Sequence, residues 1–532
     1  MPEFADPYRD SRSYCDTVEQ RFPVNDWAIG GIHVWPMVRM PLQYNLQNTA
    51  DASARRACWL LLLKSVPFLS YLRCRLLDRR GYVPRPRRAD VLFLTHAGNR
   101  ARLPGGEAVD RFVDPIQDLL DERGISSFVM ERMRPGVERF FPRQRSAHQF
   151  WWPSVRTRLE NSLLPRRLPV AMQGYEEART AVARETDCAL PAADALARRV
   201  AALADLRRYF AAILREVSPR AAFGVCFYGL ENMALSAACR EACLPSVDIQ
   251  HGYAGAMHHA YSNWSTFPRN GYEVMPSYFW RWDDRSAQEI APWLEPMAPY
   301  HRSVVGGNPA NMLHRFVDET SVDVQAFKRL SNGRGEGGRV NVLVALTVIE
   351  DCGDGSYSQI PGFLHGLVKA MGETCFWWIR LHPNTSSTES RQVRADLAAM
   401  RYANMEAEMA SRLPLSFIMS HMDLLVTEGS SIVYEAEAMG IPSLITSRKA
   451  PAAFESVIRS GRASVAEGPR EIGDRIRALA GLQSSANDPR DLADRTHRQM
   501  AWALDVILSG STSETQPSAE WREPVLAERG CA

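Results

Sequence analysis

The sequence has little lysine and lacks the short motifs of the commonest nucleotide chemistries. Only four of its 63 Lys and Arg residues are lysines, so the binding of a charged ligand must rely mainly on arginine, histidine and backbone groups. No GxxxxGK[ST] segment is present. One GxGxxG occurs, at Gly333, Gly335 and Gly338, but it precedes a strand-like run instead of following one. Hydride transfer and P-loop phosphoryl transfer are therefore not expected.

Paired cysteines and metal-binding motifs are also missing. The ten cysteines are scattered without a CxxC pair, which predicts reduced thiols in a cytoplasmic protein. No HExxH is present, and the acidic clusters at residues 283–284 and 351–354 lack the ligand spacing of a metal site. We therefore expect a reaction that needs neither a metal ion nor another cofactor.

Long apolar runs are scarce. The most apolar segment, residues 58–72, contains Lys64 and Pro67, and it is shorter than the roughly 20 residues that span a bilayer. We interpret it as a buried helical hairpin, with a membrane-surface anchor as the alternative. The N-terminal stretch MPEFADPYRDSRSYCD lacks the apolar region of a signal peptide. A net charge of +2 offers no strong field that would attract nucleic acid.

What the sequence does contain is a repeated alternation of strand-like and helix-like segments, which is typical of α/β domains with parallel sheets. We predict two tandem Rossmann-like domains that face each other across a cleft. The predicted boundaries are a helical N-terminal extension (1–88), a first domain (89–317), a Gly-rich linker (318–339), a second domain (340–510) and a loose tail (511–532).

The most informative stretch is residues 423–447, DLLVTEGSSIVYEAEAMGIPSLITS. Its pattern predicts a strand, a turn, a helix that begins at Ser430 and Ser431, and a second strand. Hydroxyl groups at a helix N-terminus can bind phosphate oxygens, although the same serines could serve only as helix caps. Glu435, one helical turn further on, could accept hydrogen bonds from a ribose or lie on the helix surface.

A second phosphate-binding element is predicted at Arg380-Leu381-His382-Pro383. The apolar run before it predicts a strand, and Pro383 ends that strand. His382 could then donate a hydrogen bond to a phosphate, and Arg380 could add positive charge. Because ligands bind at the carboxyl ends of parallel strands, this element and the serine pair together predict a clamp for a nucleotide mono- or diphosphate.

The first domain offers candidates for acid–base chemistry at the corresponding edge. Glu107 and Asp110 lie in the loop after the strand-like run at residues 91–94. His251 follows another predicted strand, at residues 246–249, and Gly252 allows a tight turn there. For each loop residue taken singly, an ordinary solvated charge is the alternative interpretation.

The RxHP strand end and the SSxxxEAxxxGxP segment on tandem α/β domains resemble GT-B-fold transferases of bacterial surface polysaccharides. The similarity is greatest to the group with HP and SS motifs: bacterial sialyltransferases, Kdo transferases of capsule assembly, and CDP-glycerol glycerophosphotransferases. It extends over roughly residues 90–508. The resemblance implies that His382, Ser430 and Ser431 hold the donor phosphate.

The resemblance also bears on the general base. The QHG segment at residues 250–252 resembles the histidine-glycine motif of the glycerophosphotransferases, which implies that His251 is the base. The sialyltransferases instead use a carboxylate in an acidic-acidic-glycine motif of the N-terminal domain, and the first domain here has no such motif. The base is therefore open among His251, Asp110 and Glu107.

The function that the resemblance implies is metal-independent glycosyl transfer in capsule or lipopolysaccharide synthesis. A sugar would pass from a nucleotide-activated donor, with a CMP-linked acid sugar favoured, to a hydroxyl of a glycan or lipid-linked acceptor. A lipid-linked acceptor would bring this cytoplasmic protein to the inner membrane as a peripheral contact. Three alternatives remain: a CDP-glycerol-type glycerophosphotransferase, a UDP-sugar 2-epimerase, and a non-catalytic assembly partner.

Overall fold

Two parallel sheets organise the chain, as a computed structural model shows. The structure describes residues 6–47, 86–103, 108–132, 147–150, 168–261, 263–331, 339–346, 350–351, 357–358, 360–382, 385, 387–447, 451–466, 468–479 and 488–509. The predicted hairpin at residues 58–72 and the predicted tail at 511–532 lie outside the described residues.

The N-terminal half contains twelve described strands. In chain order they are β1 (Ala28–Ile29), β2 (Ile32–His33), β3 (Val91–His96), β4 (Arg100–Arg102), β5 (Ala108–Asp110), β6 (Ser127–Arg132), β7 (His148–Phe150), β8 (Val170–Ala171), β9 (Ala221–Val225), β10 (Ser246–Ile249), β11 (Tyr278–Arg281) and β12 (Arg302–Val305). The helices of this half are α1 (Pro7–Arg21), α2 (Trp35–Gln47), α3 (Val113–Glu122), α4 (Tyr175–Glu185), α5 (Ala193–Val217), α6 (Leu230–Glu241) and α7 (Asp284–Leu294).

The C-terminal half contains eight described strands. They are β13 (Val340–Ala345), β14 (Glu350–Asp351), β15 (Tyr357–Ser358), β16 (Cys375–Arg380), β17 (Met405–Glu406), β18 (Leu424–Thr427), β19 (Ser443–Ile445) and β20 (Ala463–Val465). Its helices are α8 (Val322–Ser331), α9 (Gly362–Met371), α10 (Ser387–Ala399), α11 (Glu408–Arg412), α12 (Leu415–Met419), α13 (Ile432–Ala438), α14 (Glu455–Arg459), α15 (Gly468–Leu479) and α16 (Pro489–Ser509).

Both main sheets have the strand order of a Rossmann-like domain. The first runs β12-β11-β10-β9-β3-β6-β7 and the second β17-β16-β13-β18-β19-β20. Every neighbouring pair in the two sheets is parallel. In each sheet the chain builds outward from a central strand, β3 or β13, and then crosses to the other side. Such a crossing opens a crevice at the carboxyl ends of the central strands, between β3 and β9 and between β13 and β18.

The apolar composition of the central strands explains why they form. All six residues of β13 are buried, as are five of the six in β3. Strands covered by helices on both faces have this near-continuous apolar character, because neither face meets water. The structure thus confirms the predicted α/β class with two tandem Rossmann-like domains and helical elements at the N-terminus.

The two halves exchange elements at their borders. Val324 and Phe327 of α8 are buried in the core of the second domain, so helix α8 belongs to that domain although the sequence placed it in the linker at 318–339. In α16, Met500 and Leu504 pack into the core beneath the first sheet. The last helix of the predicted second domain therefore packs on the first.

In the described parts of the chain, none of the helices combines the length and the apolar character that crossing a bilayer demands.

Candidate active site

The carboxyl edges of the two sheets face each other across a cavity of about 590 Å³. Side chains from both domains line it. From the first domain come His96, Arg111, Arg132, Tyr228 and His251, and from the second come Arg380, His382, Ser430, Ser431 and Glu435. Both crossing points described above therefore open into one cavity.

The serine pair follows the end of β18. The backbone N–H of Ser430 donates to the Thr427 Oγ1 at 3.2 Å, which fixes the turn. Ser431 is the N-cap of α13, yet its side chain makes no capping hydrogen bond, so capping alone does not account for this residue. Binding of an anion by the hydroxyl groups of Ser430 and Ser431 remains a prediction.

Arg380 and His382 lie at the end of β16. One terminal nitrogen of Arg380 donates to the carbonyl oxygens of Ala410 (2.6 Å) and Leu413 (3.0 Å), which fixes the guanidinium at the cavity edge. Burial, reinforced by the nearby Arg111, lowers the pKa of Arg380 to about 10, so it stays charged at neutral pH. Burial and Arg111 also lower the pKa of His382, so its ring is neutral there. Pro383 lies outside the described residues.

Glu435 lines the cavity beside these cations. Burial raises the pKa of this carboxyl group, while Arg111, Arg380 and a hydrogen bond with the Asn308 side chain act in the opposite direction. It is therefore a cavity residue and not an exposed helix-surface glutamate. Hydrogen bonding to a ribose remains a prediction.

His251 is the second residue after β10 and lies in a turn that two hydrogen bonds of the Gln250 side chain fix. The Gln250 side chain donates to the Gly252 carbonyl (2.9 Å) and accepts from the Trp282 backbone N–H (3.0 Å). The His251 Nε2 lies 3.3 Å from the Tyr228 hydroxyl. Its Nδ1 is buried and has no hydrogen-bond partner among the described residues. Burial, with help from neighbouring cationic groups, lowers the pKa of His251 to about 3.

The turn that carries His251 touches the serine turn across the domain boundary. A Cβ added at Gly252 would lie 3.3 Å from the Ser431 Oγ. One residue further on, Tyr253 stacks on Tyr434 with ring centroids 5.5 Å apart and an interplanar angle of 5°. His382, Ser430 and Ser431 line the same cavity, and the QHG turn faces them.

Asp110, one of the three candidates for the general base, is wrongly placed for that role. Its carboxylate is fully buried and does not line the cavity. One oxygen accepts the N–H groups of Phe112 and Val113, both at 3.0 Å, and the other accepts the Thr95 hydroxyl at 2.6 Å. With its lone pairs engaged in fixing the start of α3, this carboxylate cannot reach an acceptor hydroxyl. Glu107 lies outside the described residues.

Sequence reasoning did not single out Arg111, Arg132 and Tyr228, which all line the cavity. Arg132 ends β6 and forms an ion pair with Glu231 at 2.8 Å. Tyr228 follows β9 by three residues. Arg132 and Tyr228 could have been found from the sequence, because both lie at the carboxyl ends of parallel strands. The same rule, that ligands bind at those ends, selected His251 and His382. Arg111 follows β5, which pairs only with β4 outside the main sheet, so that rule could not have found it.

Among the described residues, no group of three or more His, Cys, Asp and Glu side chains is arranged to hold a metal ion.

Comparisons with known proteins show similarity in structure only. No protein-family model matches this chain, and no curated protein matches its sequence. One similar solved structure is the UDP-GlcNAc 2-epimerase of Neisseria meningitidis bound to UDP-GlcNAc, with 13% identity, a TM-score of 0.45, and coverage of 78% of this chain and 99% of that one. The UDP-GlcNAc 2-epimerase of Methanocaldococcus jannaschii has 8% identity, a TM-score of 0.43 and coverage of 77% and 99%.

A third similar structure is the calicheamicin glycosyltransferase CalG4, with 14% identity, a TM-score of 0.40 and coverage of 78% and 95%. These values are too low for the comparison to decide between transferase and epimerase. The fold itself, two Rossmann-like domains whose carboxyl edges face one cleft, is that of the GT-B class.

Proposed function

We propose that this protein is a metal-independent glycosyltransferase that moves a sugar from a nucleotide-activated donor to a hydroxyl group of an acceptor. The observation that carries the proposal is the convergence of His382, Ser430 and Ser431 from one domain with His251 from the other on a single cavity. A cavity of about 590 Å³ also lies within the range of pockets that bury a ligand of nucleotide-sugar size.

The second domain would bind the leaving nucleotide. As the bond between the anomeric carbon and the phosphate oxygen breaks, the electron pair stays on the phosphate and its negative charge grows. The charged Arg380, the neutral imidazole N–H of His382 and the Ser431 hydroxyl would stabilise that charge. Cationic and hydrogen-bonding side chains of this kind can balance a leaving phosphate without a divalent ion.

The first domain would activate the acceptor. His251 is neutral in the free protein, because burial disfavours its charged form, and a neutral imidazole can accept the proton of the acceptor hydroxyl as the new bond to the anomeric carbon forms. Negative charge on the bound donor would also favour the imidazolium, and so make His251 a stronger base when it is needed.

We infer the class of donor from the charge of the residues that line the cavity. Of the cavity-lining residues in the described part of the chain, three are arginines and one, Glu435, is a carboxylate. This excess of positive charge supports a donor with an acid sugar, such as a CMP-linked one, and hence a role in capsule or lipopolysaccharide synthesis. Nucleotide-activated donors of this kind are made in the cytoplasm, where we place the reaction. The acceptor would be a glycan, free or lipid-linked.

The test is a donor panel with the full-length protein. CMP-linked acid sugars, CDP-glycerol and UDP-sugars are incubated with acceptor glycans and with EDTA, and nucleotide release is measured. We expect release from a CMP-linked acid sugar that depends on the acceptor and persists in EDTA. Nucleotide release from CDP-glycerol and from none of the sugar donors would indicate the glycerophosphotransferase instead. Conversion of a UDP-sugar without any acceptor would indicate an epimerase. The absence of any reaction, or of any nucleotide that raises the melting temperature, would indicate a non-catalytic partner.

A further inference from the structure

Arg111 lies in the first domain at the entrance to α3 and lines the cavity. Its Nε and its backbone N–H both donate to the carbonyl oxygen of Asn99, each at 3.2 Å. The base of the side chain is therefore fixed. In the described part of the chain, neither terminal nitrogen of Arg111 has a hydrogen bond or an ion pair, so two of its strongest donor groups remain available to a ligand.

A buried network holds the backbone on which Arg111 sits. The Asn99 side chain donates to the Thr95 Oγ1 at 3.0 Å, and that hydroxyl donates to the Asp110 carboxylate at 2.6 Å. The same carboxylate accepts the two N–H groups that follow Arg111 in the chain. Thr95, Asn99 and Asp110 are all at most 3% exposed. A network so fully satisfied is rigid, and its position beside a cavity indicates that it holds something in place.

Arg111 faces charged and polar side chains of the other domain. Arg380, His382 and Glu435 line the same cavity, and the Arg111 charge lowers the pKa of both Arg380 and His382. No ion pair joins Arg111 to Glu435 among the described residues, and Glu435 is the one carboxylate in the described cavity wall. Arg111 and Arg380 thus lie near one carboxylate, and among the described residues neither forms an ion pair with it. Such an arrangement is short of negative charge, and an anionic ligand would supply it.

We propose that Arg111 is the first domain's ligand for the phosphate of the bound nucleotide, so that this phosphate bridges the two domains. Thr95, Asn99 and Asp110 are then positioning residues that hold Arg111 in place. The inference rests on the proposed function, because it takes the anion to be the donor's phosphate. It also gives Asp110 a task in place of proton transfer.

The test is isothermal titration calorimetry of CMP, CDP and UDP on the wild type and on Arg111→Gln, Arg111→Lys and His382→Ala. The control is Arg179→Gln, because the Arg179 side chain is 41% exposed, pairs with Glu176 and lies outside the cavity. Hydrogen bonds to charged groups contribute about 1.5–3 kcal/mol, so Arg111→Gln should raise Kd by about 10- to 150-fold. Arg111→Lys should recover part of the loss, and the salt dependence of log Kd should become shallower in Arg111→Gln.

The outcomes separate this inference from the proposed function. If the wild type binds none of the three nucleotides, the proposed function fails and the inference fails with it. If the wild type binds and His382→Ala weakens binding, while Arg111→Gln binds like the wild type, only the inference fails. Equal losses from Arg111→Gln and Arg179→Gln would also overturn it, since the effect would then be one of overall charge.

The positioning role needs its own readout. Thr95→Val removes the hydrogen bond to Asp110 while leaving the side-chain volume similar. If Thr95 acts through Arg111, the variant should weaken nucleotide binding in the wild-type background and cause no further loss in the Arg111→Gln background. Independent, additive losses would refute the positioning role, because a merely structural defect would lower affinity in both backgrounds alike.

Discussion

Replacing Gly252 tests whether the QHG turn and the serine turn truly meet across the domain boundary. Gly252 does not adopt a positive φ, so alanine there creates no backbone strain. Among the described residues its only new contact is with Ser431, whose Oγ would lie 3.3 Å from the added Cβ and whose Cβ would lie at 3.8 Å. The first distance is tighter than nine in ten Cβ contacts in proteins, so the Ser431 hydroxyl must shift by a few tenths of an ångström.

The size of the effect follows from that contact. Overpacking costs about 1–3 kcal/mol. Because only one hydroxyl group has to move, the cost of Gly252→Ala should lie at the lower end of that range. We expect about a fivefold increase in the Kd of the nucleotide that binds the wild type. Gly252→Val adds two further carbons at the same place and belongs near the upper end, with about a 100-fold increase. Gly362→Ala is the control, since Gly362 has no described residue beyond its chain neighbours and its own helix within 4 Å of the added Cβ.

A double-mutant cycle decides the cause. Ser431→Ala removes the oxygen that the new methyl group meets, so Gly252→Ala should cost little in the Ser431→Ala background. We expect a coupling free energy of about 1 kcal/mol from calorimetric Kd values of the four proteins. Additive losses to within about 0.5 kcal/mol would refute the reasoning, because the two turns would then not touch in solution.

Three further predictions concern histidines. His382→Ala should lower turnover by about 10²- to 10³-fold, the usual loss for one preorganised hydrogen-bond donor. His365→Ala, outside the cavity, should leave turnover unchanged. Equal turnover in the two variants would contradict phosphate binding by His382. The pKa of His251 in the free protein is about 3, so protonation of this residue should not lower kcat/KM near pH 6.5. A loss of kcat/KM through protonation of His251 near that pH would contradict its burial. His301 is 1% exposed and burial lowers its pKa to about 4, so the unfolded chain takes up the proton first as pH falls below 6.5. The stability advantage of the wild type over His301→Gln should therefore shrink by up to about 2 kcal/mol between pH 6.5 and 5 in urea unfolding, and a constant difference would refute this.

The sheets and part of the candidate site could be predicted because apolar runs mark buried strands. The run at residues 424–426 became β18 (Leu424–Thr427), and the run at 340–346 became β13 (Val340–Ala345). Once strands are placed, the geometry of parallel sheets brings the residues at their carboxyl ends together. His251 and His382 were identified in that way.

The rest depended on side-chain directions that a sequence does not show. Asp110 is the last residue of β5, and a catalytic carboxylate often lies at a strand end, but this side chain turns inward and accepts the N–H groups at the start of α3. Arg111, its neighbour, lines the cavity instead.

Strands as short as β17 and β20, with two and three residues, carry too little periodicity to be recognised. Helix α8 was missed because the glycines at residues 332–338 drew the linker prediction over it.

The central claim is that the imidazole of His382 and the hydroxyl of Ser431 bind the same anionic group. A crystal structure of the full-length protein soaked with CMP, CDP or UDP tests it most directly. We predict a phosphate in the interdomain cavity, within hydrogen-bond distance of both side chains. A nucleotide bound elsewhere, or bound in the cavity with its phosphate directed away from both residues, would contradict the account.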